Sequence, residues 1–241
     1  MLNKDTPIPL YYQLKEKLTE AIMNGSWPVG TMIPSERELS EKYGISRMTV
    51  RQALGEMVKE GLLVRKKGKG SFVAEPKINQ ELIRLTSFSE DMRSRGLTPD
   101  SRVKSVYLQE ASPAIQNYLS LKADAQVIVV ERIRLANEQP MAFETSHLPI
   151  ARFPDLKHHV LDAKSLYNLL EEHYHVTIKY ARQTLEASLS DAVVSKILEI
   201  PHASPVLLIT RVTYDSENRP FEYVKSIYRG DRYKFIVELE R

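Results

Sequence analysis

The chain has 241 residues, 42% of them hydrophobic and 27% charged, with no cysteine and a formal charge of +3. That length accommodates two domains with separate cores, and the lack of cysteine excludes disulfides and thiol catalysis. No run approaches the roughly 20 apolar residues of a membrane span, and MLNKDTPIPLYY lacks the basic-then-apolar order of an export signal, so a cytoplasmic protein with no membrane partner is expected. The charge is unevenly placed. Residues 1–77 hold 13 basic and 9 acidic residues, the rest 21 and 22. The cationic excess belongs to the N-terminal part, where an anionic partner would bind.

In chain order, a first helix is predicted over residues 10–24, entered after Pro9 and closed by Gly25, with Leu14, Leu18, Ala21 and Ile22 inward. A second, short helix follows Ser35, which forms a capping box with Glu38 and stops at Gly44. After Ile45, Ser46 caps a third helix whose Val50, Ala53, Leu54, Met57 and Val58 share one apolar face. Its opposite face carries Arg47, Thr49, Arg51 and Gln52, donors and a methyl suited to phosphates and major-groove base edges. Leu62, Leu63 and Val64 then lead into a basic turn, Arg65, Lys66, Lys67, Gly68, Lys69 and Gly70, before Phe72 and Val73 return. Residues 44–70 hold seven Lys or Arg against two Glu, so caps, turn and charge coincide in a winged helix-turn-helix. Lys67 and Lys69 are placed to meet phosphates.

The stretch PSERELSEKYGISRMTVRQAL resembles the hallmark of the GntR family of bacterial regulators. The resemblance implies that Arg37 and Arg47 contact base edges and phosphates. By it, Ser35, Ser46, Thr49 and Arg51 hold the DNA backbone, and Gly68 enters the minor groove. The one small departure is Ser71, where relatives often carry Thr. A DNA-binding domain over residues 1–75 is expected. Residues 76–84 lie in a segment of mixed charge and little periodicity, read as a linker.

The rest, 85–241, contains an internal repeat at a spacing of about 79 residues. AIQNYLSLKADAQV aligns with VVSKILEIPHASPV, pairing Leu119 with Leu198, and VIVVERIR aligns with VLLITRVT, placing Arg132 over Arg211. Each half is strand, helix and hairpin. With an amphipathic helix over 166–174 between them, this predicts an α+β domain on one antiparallel sheet with pseudo-two-fold symmetry and a central cleft. Arg132 and Arg134 share a face by strand parity. Two guanidiniums there are solvated, bind an anion, or pair with Glu144 and Glu222 of the returning strands. Ser87 and Glu90 form another capping box on a short helix ended by Gly96, whose free N–H groups suit a phosphate. Ser165 caps the helix bearing Tyr167. No metal site is expected: His158 with His159 and His173 with His175 lack a third ligand at a recognisable spacing.

LTSF, RIRLANEQPMAFETSHLP and KSIYRGDRY resemble the UTRA effector domain of the HutC-type subfamily, most of all in regulators of N-acetylglucosamine utilisation. The resemblance implies a chorismate-lyase-like fold that binds glucosamine 6-phosphate or N-acetylglucosamine 6-phosphate as effector, with no cofactor. Ser87, Phe88, Arg132 and Arg134 would hold the phosphate. Glu144, Ser165, Tyr167, Glu222 and Tyr228 would face the sugar. The expected protein is a homodimeric repressor of amino-sugar genes that leaves double-stranded operator DNA when the sugar phosphate binds. An alternative is a regulator of the same type answering a different small anionic metabolite. A sugar-phosphate enzyme is the rival class, with Glu144 or Glu222 as its general base, but no nucleophile with an adjacent base is recognisable. A constitutive DNA-binding protein with a purely dimerising second domain would have no use for the clustered arginines.

Overall fold

A computed structural model describes residues 2–66, 68–82, 84–161 and 165–239. The chain divides into two compact units, Met1–Ile78 and Asn79–Arg241. Among the described residues no helix is long and apolar enough to cross a membrane.

The first unit packs three helices and a hairpin. α1 (Leu10–Met23) starts directly after Pro9. α2 (Glu36–Tyr43) opens on Ser35 with both arms of the capping box made and closes on Gly44 at φ 63°. α3 (Arg47–Lys59) is capped by Ser46. Leu14, Leu18, Leu39, Val50, Ala53, Leu54 and Met57 bury one core, onto which Leu63 and Val73 of the hairpin close. That hairpin pairs β1 (Leu63–Lys66) with β2 (Gly70–Val73), and Phe72 also bridges to Met32.

The second unit is a six-stranded antiparallel sheet in the order β4-β5-β6-β9-β8-β7. Its strands are β4 (Pro99–Glu110), β5 (Gln126–Ala136), β6 (Gln139–Pro149), β7 (Ile178–Leu189), β8 (Pro205–Asp215) and β9 (Pro220–Arg229). The repeat predicted from sequence is the symmetry of this sheet. β4, α5 (Pro113–Leu119), β5 and β6 make one half, and β7, α8 (Ala192–Leu198), β8 and β9 the other, joined between β6 and β9. The likeness extends to backbone detail: α5 ends on Ser120 at φ 53°, ψ 42°, and α8 on Glu199 at φ 54°, ψ 42°. α5 covers one face of the sheet, burying Ile115 and Leu119 against Val127 and Val129. On the opposite face α6 (Leu156–His159) and α7 (Leu166–Glu172) bury Leu156, Leu166 and Leu170 against Ile128, Val130 and Phe221. They cover only one end of that face. The side chains further along the same strands line a cavity.

Three elements depart from expectation. Within the segment read as linker, β3 (Ile78–Glu81) runs into the second unit and pairs there with β10 (Tyr233–Ile236), and Leu82 N–H extends the pairing to Ile236 O at 3.1 Å. INQE has no alternating pattern, and the partner strand lies some 150 residues away in sequence, so local reading had nothing to detect. The short α6 was likewise not foreseen. Its His159 packs against His173, ring centroids 4.2 Å apart.

Candidate functional site

The cavity of the second unit has a volume of about 500 Å³. Its floor is set by strand register. Arg132 on β5 stands opposite Glu144 on β6, Glu144 opposite Ser226 on β9, and Ser226 opposite Ile209 on β8. Side chains two apart on a strand share a face, so Arg134, Ser146, Glu222, Tyr228, Arg211 and Thr213 belong to that same surface. The wall above it includes α4 (Phe88–Ser94), capped by Ser87, whose Oγ accepts the Glu90 N–H at 3.2 Å. Of the effector residues expected from sequence, Ser87, Phe88, Arg132, Arg134, Glu144, Tyr167, Glu222 and Tyr228 line the cavity. Ser165 is not among the lining residues. It accepts the Asn168 N–H at 3.4 Å and so fixes the start of the helix that carries Tyr167.

Glu144 is an ion-pair partner for both arginines. Arg132 Nη2 donates to its Oε1, and Arg134 Nε lies 3.6 Å from its Oε2. Burial alone would raise this carboxyl, but Arg134, Arg132 and the Arg132 hydrogen bond outweigh it and hold the group at about 2. Arg134 also donates to Ser101 Oγ and rests over the Phe88 ring, 5.3 Å from its centroid. These contacts do not use every donor. Arg132 Nε and Nη1 and Arg134 Nε are buried without a hydrogen-bond partner among the described residues. Buried polar hydrogens without acceptors cost free energy, and guanidinium N–H groups are suited to an anionic acceptor.

Glu222 pairs with neither arginine. Its Oε1 accepts from Ser146 Oγ at 3.0 Å and its Oε2 from Thr213 Oγ1 at 3.1 Å. Tyr167 Oη lies 3.1 Å from Thr213 Oγ1, so the three form a chain. Burial and the neighbouring Glu144 charge raise the Glu222 carboxyl. Burial likewise raises the Tyr167 and Tyr228 phenols, which stay neutral hydrogen-bonding groups.

Sequence reasoning missed Arg211. It lines the cavity from the second half of the repeat, its Nε and Nη2 both donating to Gln183 Oε1 at 2.8 and 2.7 Å. The signal was present, because the repeat superposes it on Arg132.

The first unit presents a different surface. Arg47 is exposed at the first position of α3, and Arg37 is exposed on α2, 3.9 Å from Glu41. Ser35 and Ser46 are the two caps, Ser46 Oγ accepting the Thr49 N–H at 3.1 Å and lying 2.8 Å from its Oγ1. Arg51 Nη2 is 2.7 Å from Glu36, whose carboxylate is also 3.7 Å from Arg65 on β1. One acidic residue thus gathers cations from α3 and the hairpin, and the Arg51 hydrogen bond holds its carboxyl below the usual range. Gly68 adopts φ 73°, a left-handed conformation that glycine takes without strain, and Lys69 beside it is exposed. Lys67 lies outside the described residues.

The family models confirm the class that both units define. Residues 10–73 match the model of bacterial regulatory proteins of the gntR family, and residues 94–234 match the UTRA domain. The chain belongs to the gntR family of transcriptional regulators, in its UTRA-bearing, HutC-type branch of repressors. It is 44% identical to the HTH-type transcriptional repressor NagR of Bacillus subtilis (strain 168), over all of this chain and 98% of that one. It is 32% identical to the mannosyl-D-glycerate transport/metabolism system repressor MngR of Escherichia coli (strain K12), over 97% of each chain. Among solved structures, PhnF from Mycobacterium smegmatis matches with a TM-score of 0.67 at 27% identity, over 94% of this chain and 98% of that one. The family model and the two curated relatives are of transcriptional regulators, and the chain is read as one rather than as an enzyme.

Proposed function

We propose that this protein represses genes of amino-sugar utilisation, those for N-acetylglucosamine in particular. It leaves its operator when glucosamine 6-phosphate or N-acetylglucosamine 6-phosphate fills the cavity. The observation that carries this reading is the set of unpartnered N–H groups on Arg132 and Arg134. A phosphate is the small group with enough acceptors and charge to satisfy them together. Glu144, Tyr167, Glu222 and Tyr228 then offer acceptors and hydroxyls to a sugar ring, and about 500 Å³ admits a hexose phosphate. The 44% identity to NagR supports an amino-sugar setting. Operator DNA is met by α2, the exposed face of α3 and the hairpin, with Arg37 and Arg47 on base edges and phosphates, Ser35, Ser46, Thr49 and Arg51 along the backbone, Gly68 in the minor groove and Lys69 on a phosphate. Lys67 adds a phosphate contact to that set. Two copies of the chain read a two-fold operator, in the cytoplasm where such sugar phosphates arise.

A second reading keeps the mechanism and changes the ligand, because relatives at 32% and 30% identity are named for mannosyl-D-glycerate and for histidine utilisation. Isothermal titration of the full chain decides between them. Micromolar or tighter binding of one amino-sugar phosphate is expected, and Arg134→Ala weakens it about ten- to a hundredfold through loss of a charge-assisted contact. Binding of neither sugar phosphate to the wild type would remove the amino-sugar reading.

A further inference from the structure

One wall of the cavity is built by a residue that neither the fold nor the arginine site accounts for. Tyr233, on β10, lines the cavity and is only 2% exposed, and its Oη is buried with no hydrogen-bond partner among the described residues. A buried hydroxyl in that condition has given up water and gained nothing in return. The ring is held in place. It meets Tyr228 edge-on at 4.7 Å between centroids and stacks with Phe235 at 6.2 Å, so the hydroxyl has little freedom to swing toward solvent. Burial lifts the phenol well above its ordinary range, which keeps it a protonated donor at neutral pH. Tyr233 lines the same cavity as Arg132 and Arg134, whose buried N–H groups are likewise unused.

Building on the reading of this cavity as an anion-binding effector site, we infer that Tyr233 Oη donates a hydrogen bond to the bound effector. The β3–β10 ribbon is then part of the binding wall. The geometry has a consequence for signalling. Gln80, Glu81 and Leu82 line the cavity alongside Tyr233, and Leu82 N–H is bonded to Ile236 O on the same ribbon. β3 begins at Ile78, the last residue of the first unit, and continues into the effector unit. A ligand gripped by Tyr233 therefore bears on the segment through which the two units are joined.

Tyr233→Phe tests this, since it keeps the ring and its packing and removes one oxygen. Wild type and variant, as full chains, are titrated calorimetrically with glucosamine 6-phosphate, N-acetylglucosamine 6-phosphate and inorganic phosphate, and their ligand-free thermal unfolding is compared. The inference requires the ligand-free variant to unfold at the same or a higher temperature, because no unsatisfied hydroxyl is left buried. It also requires the affinity for whichever probe the wild type binds to fall about tenfold. A hydroxyl of purely structural use gives the opposite pattern, a less stable ligand-free variant with unchanged affinity, and that result overturns the inference. Unchanged affinity at unchanged stability overturns it as well while leaving the effector reading intact. A wild type that binds none of the three probes overturns the effector reading, and this inference with it.

Discussion

Arg132 and Arg134 sit two residues apart on one strand and face one cavity, yet truncating them has different consequences. Arg132 is buried to 1% exposure and its direct partner is the buried Glu144. Arg132→Ala leaves that carboxylate without its hydrogen-bonded arginine, and a loss of about 3–5 kcal/mol is expected in urea denaturation. Arg134 retains Ser101 and the Phe88 ring as further partners, which makes it the better probe of ligand binding. On the DNA side, Arg47 is exposed at the start of α3, so Arg47→Ala should leave the fold intact and weaken operator binding by about 1–3 kcal/mol per protomer. A mobility-shift titration showing unaltered affinity would exclude a role for this side chain. Strand parity was enough to bring the two arginines to one face from sequence. It said nothing of Glu222, which the structure binds to Ser146 and Thr213 rather than to an arginine, because that choice depends on side-chain reach across strands. Tyr233 was invisible for a similar reason: its burial depends on pairing with a strand some 150 residues earlier.

The two hairpins of the repeat show how an element-scale difference follows from one residue. In the first half Asn137 and Glu138, at φ 48° and 66°, turn β5 into β6, as a two-residue turn of this hand requires. In the second half three residues, 216–218, intervene between Asp215 and Arg219, and the repeat spacing grows from 79 before the turn to 80 after it. The longer turn is organised by Asp215. Its Oδ1 accepts the N–H groups of Glu217 and Arg219 at 3.0 and 2.8 Å, and its Oδ2 meets Arg219 and Arg152. Burial would raise this carboxyl, but the Arg219 N–H and the two guanidiniums hold it at about 2. An aspartate titrates near 3.9 in an unfolded chain, so the bonus is fully present above about pH 4 and disappears as pH falls through about 2. Asp215→Asn should therefore cost about 2–3 kcal/mol at pH 7. That deficit should shrink in urea denaturation repeated at pH 3 and pH 2, and a deficit constant with pH would show that the charge is not what matters. The repeat's hairpins, the caps and the helices other than α6 were legible because each is signalled within a few residues. β3 was not, since it has no such local mark.

At the scale of the whole molecule, the cationic excess of residues 1–77 and the near-neutral remainder separate two binding tasks along one chain. Repression with release by effector requires that the two tasks share a free energy. If the effector binds the DNA-free arrangement more tightly by a factor, operator DNA must weaken effector binding by the same factor, because the four states close a thermodynamic cycle. A coupling of about 1–3 kcal/mol is typical, a change of roughly 5- to 150-fold. The expected outcome is that calorimetric titration of the operator-bound repressor with the sugar phosphate gives a Kd weaker than that of the free protein. The ratio should match the weakening of operator affinity measured at saturating effector and the same salt. Salt must be held fixed because each phosphate contact contributes its own counterion release. A Kd that is the same with and without operator would mean the cavity is filled without consequence for DNA. The unused donors of Arg132, Arg134 and Tyr233 would then serve a ligand that is not the inducer.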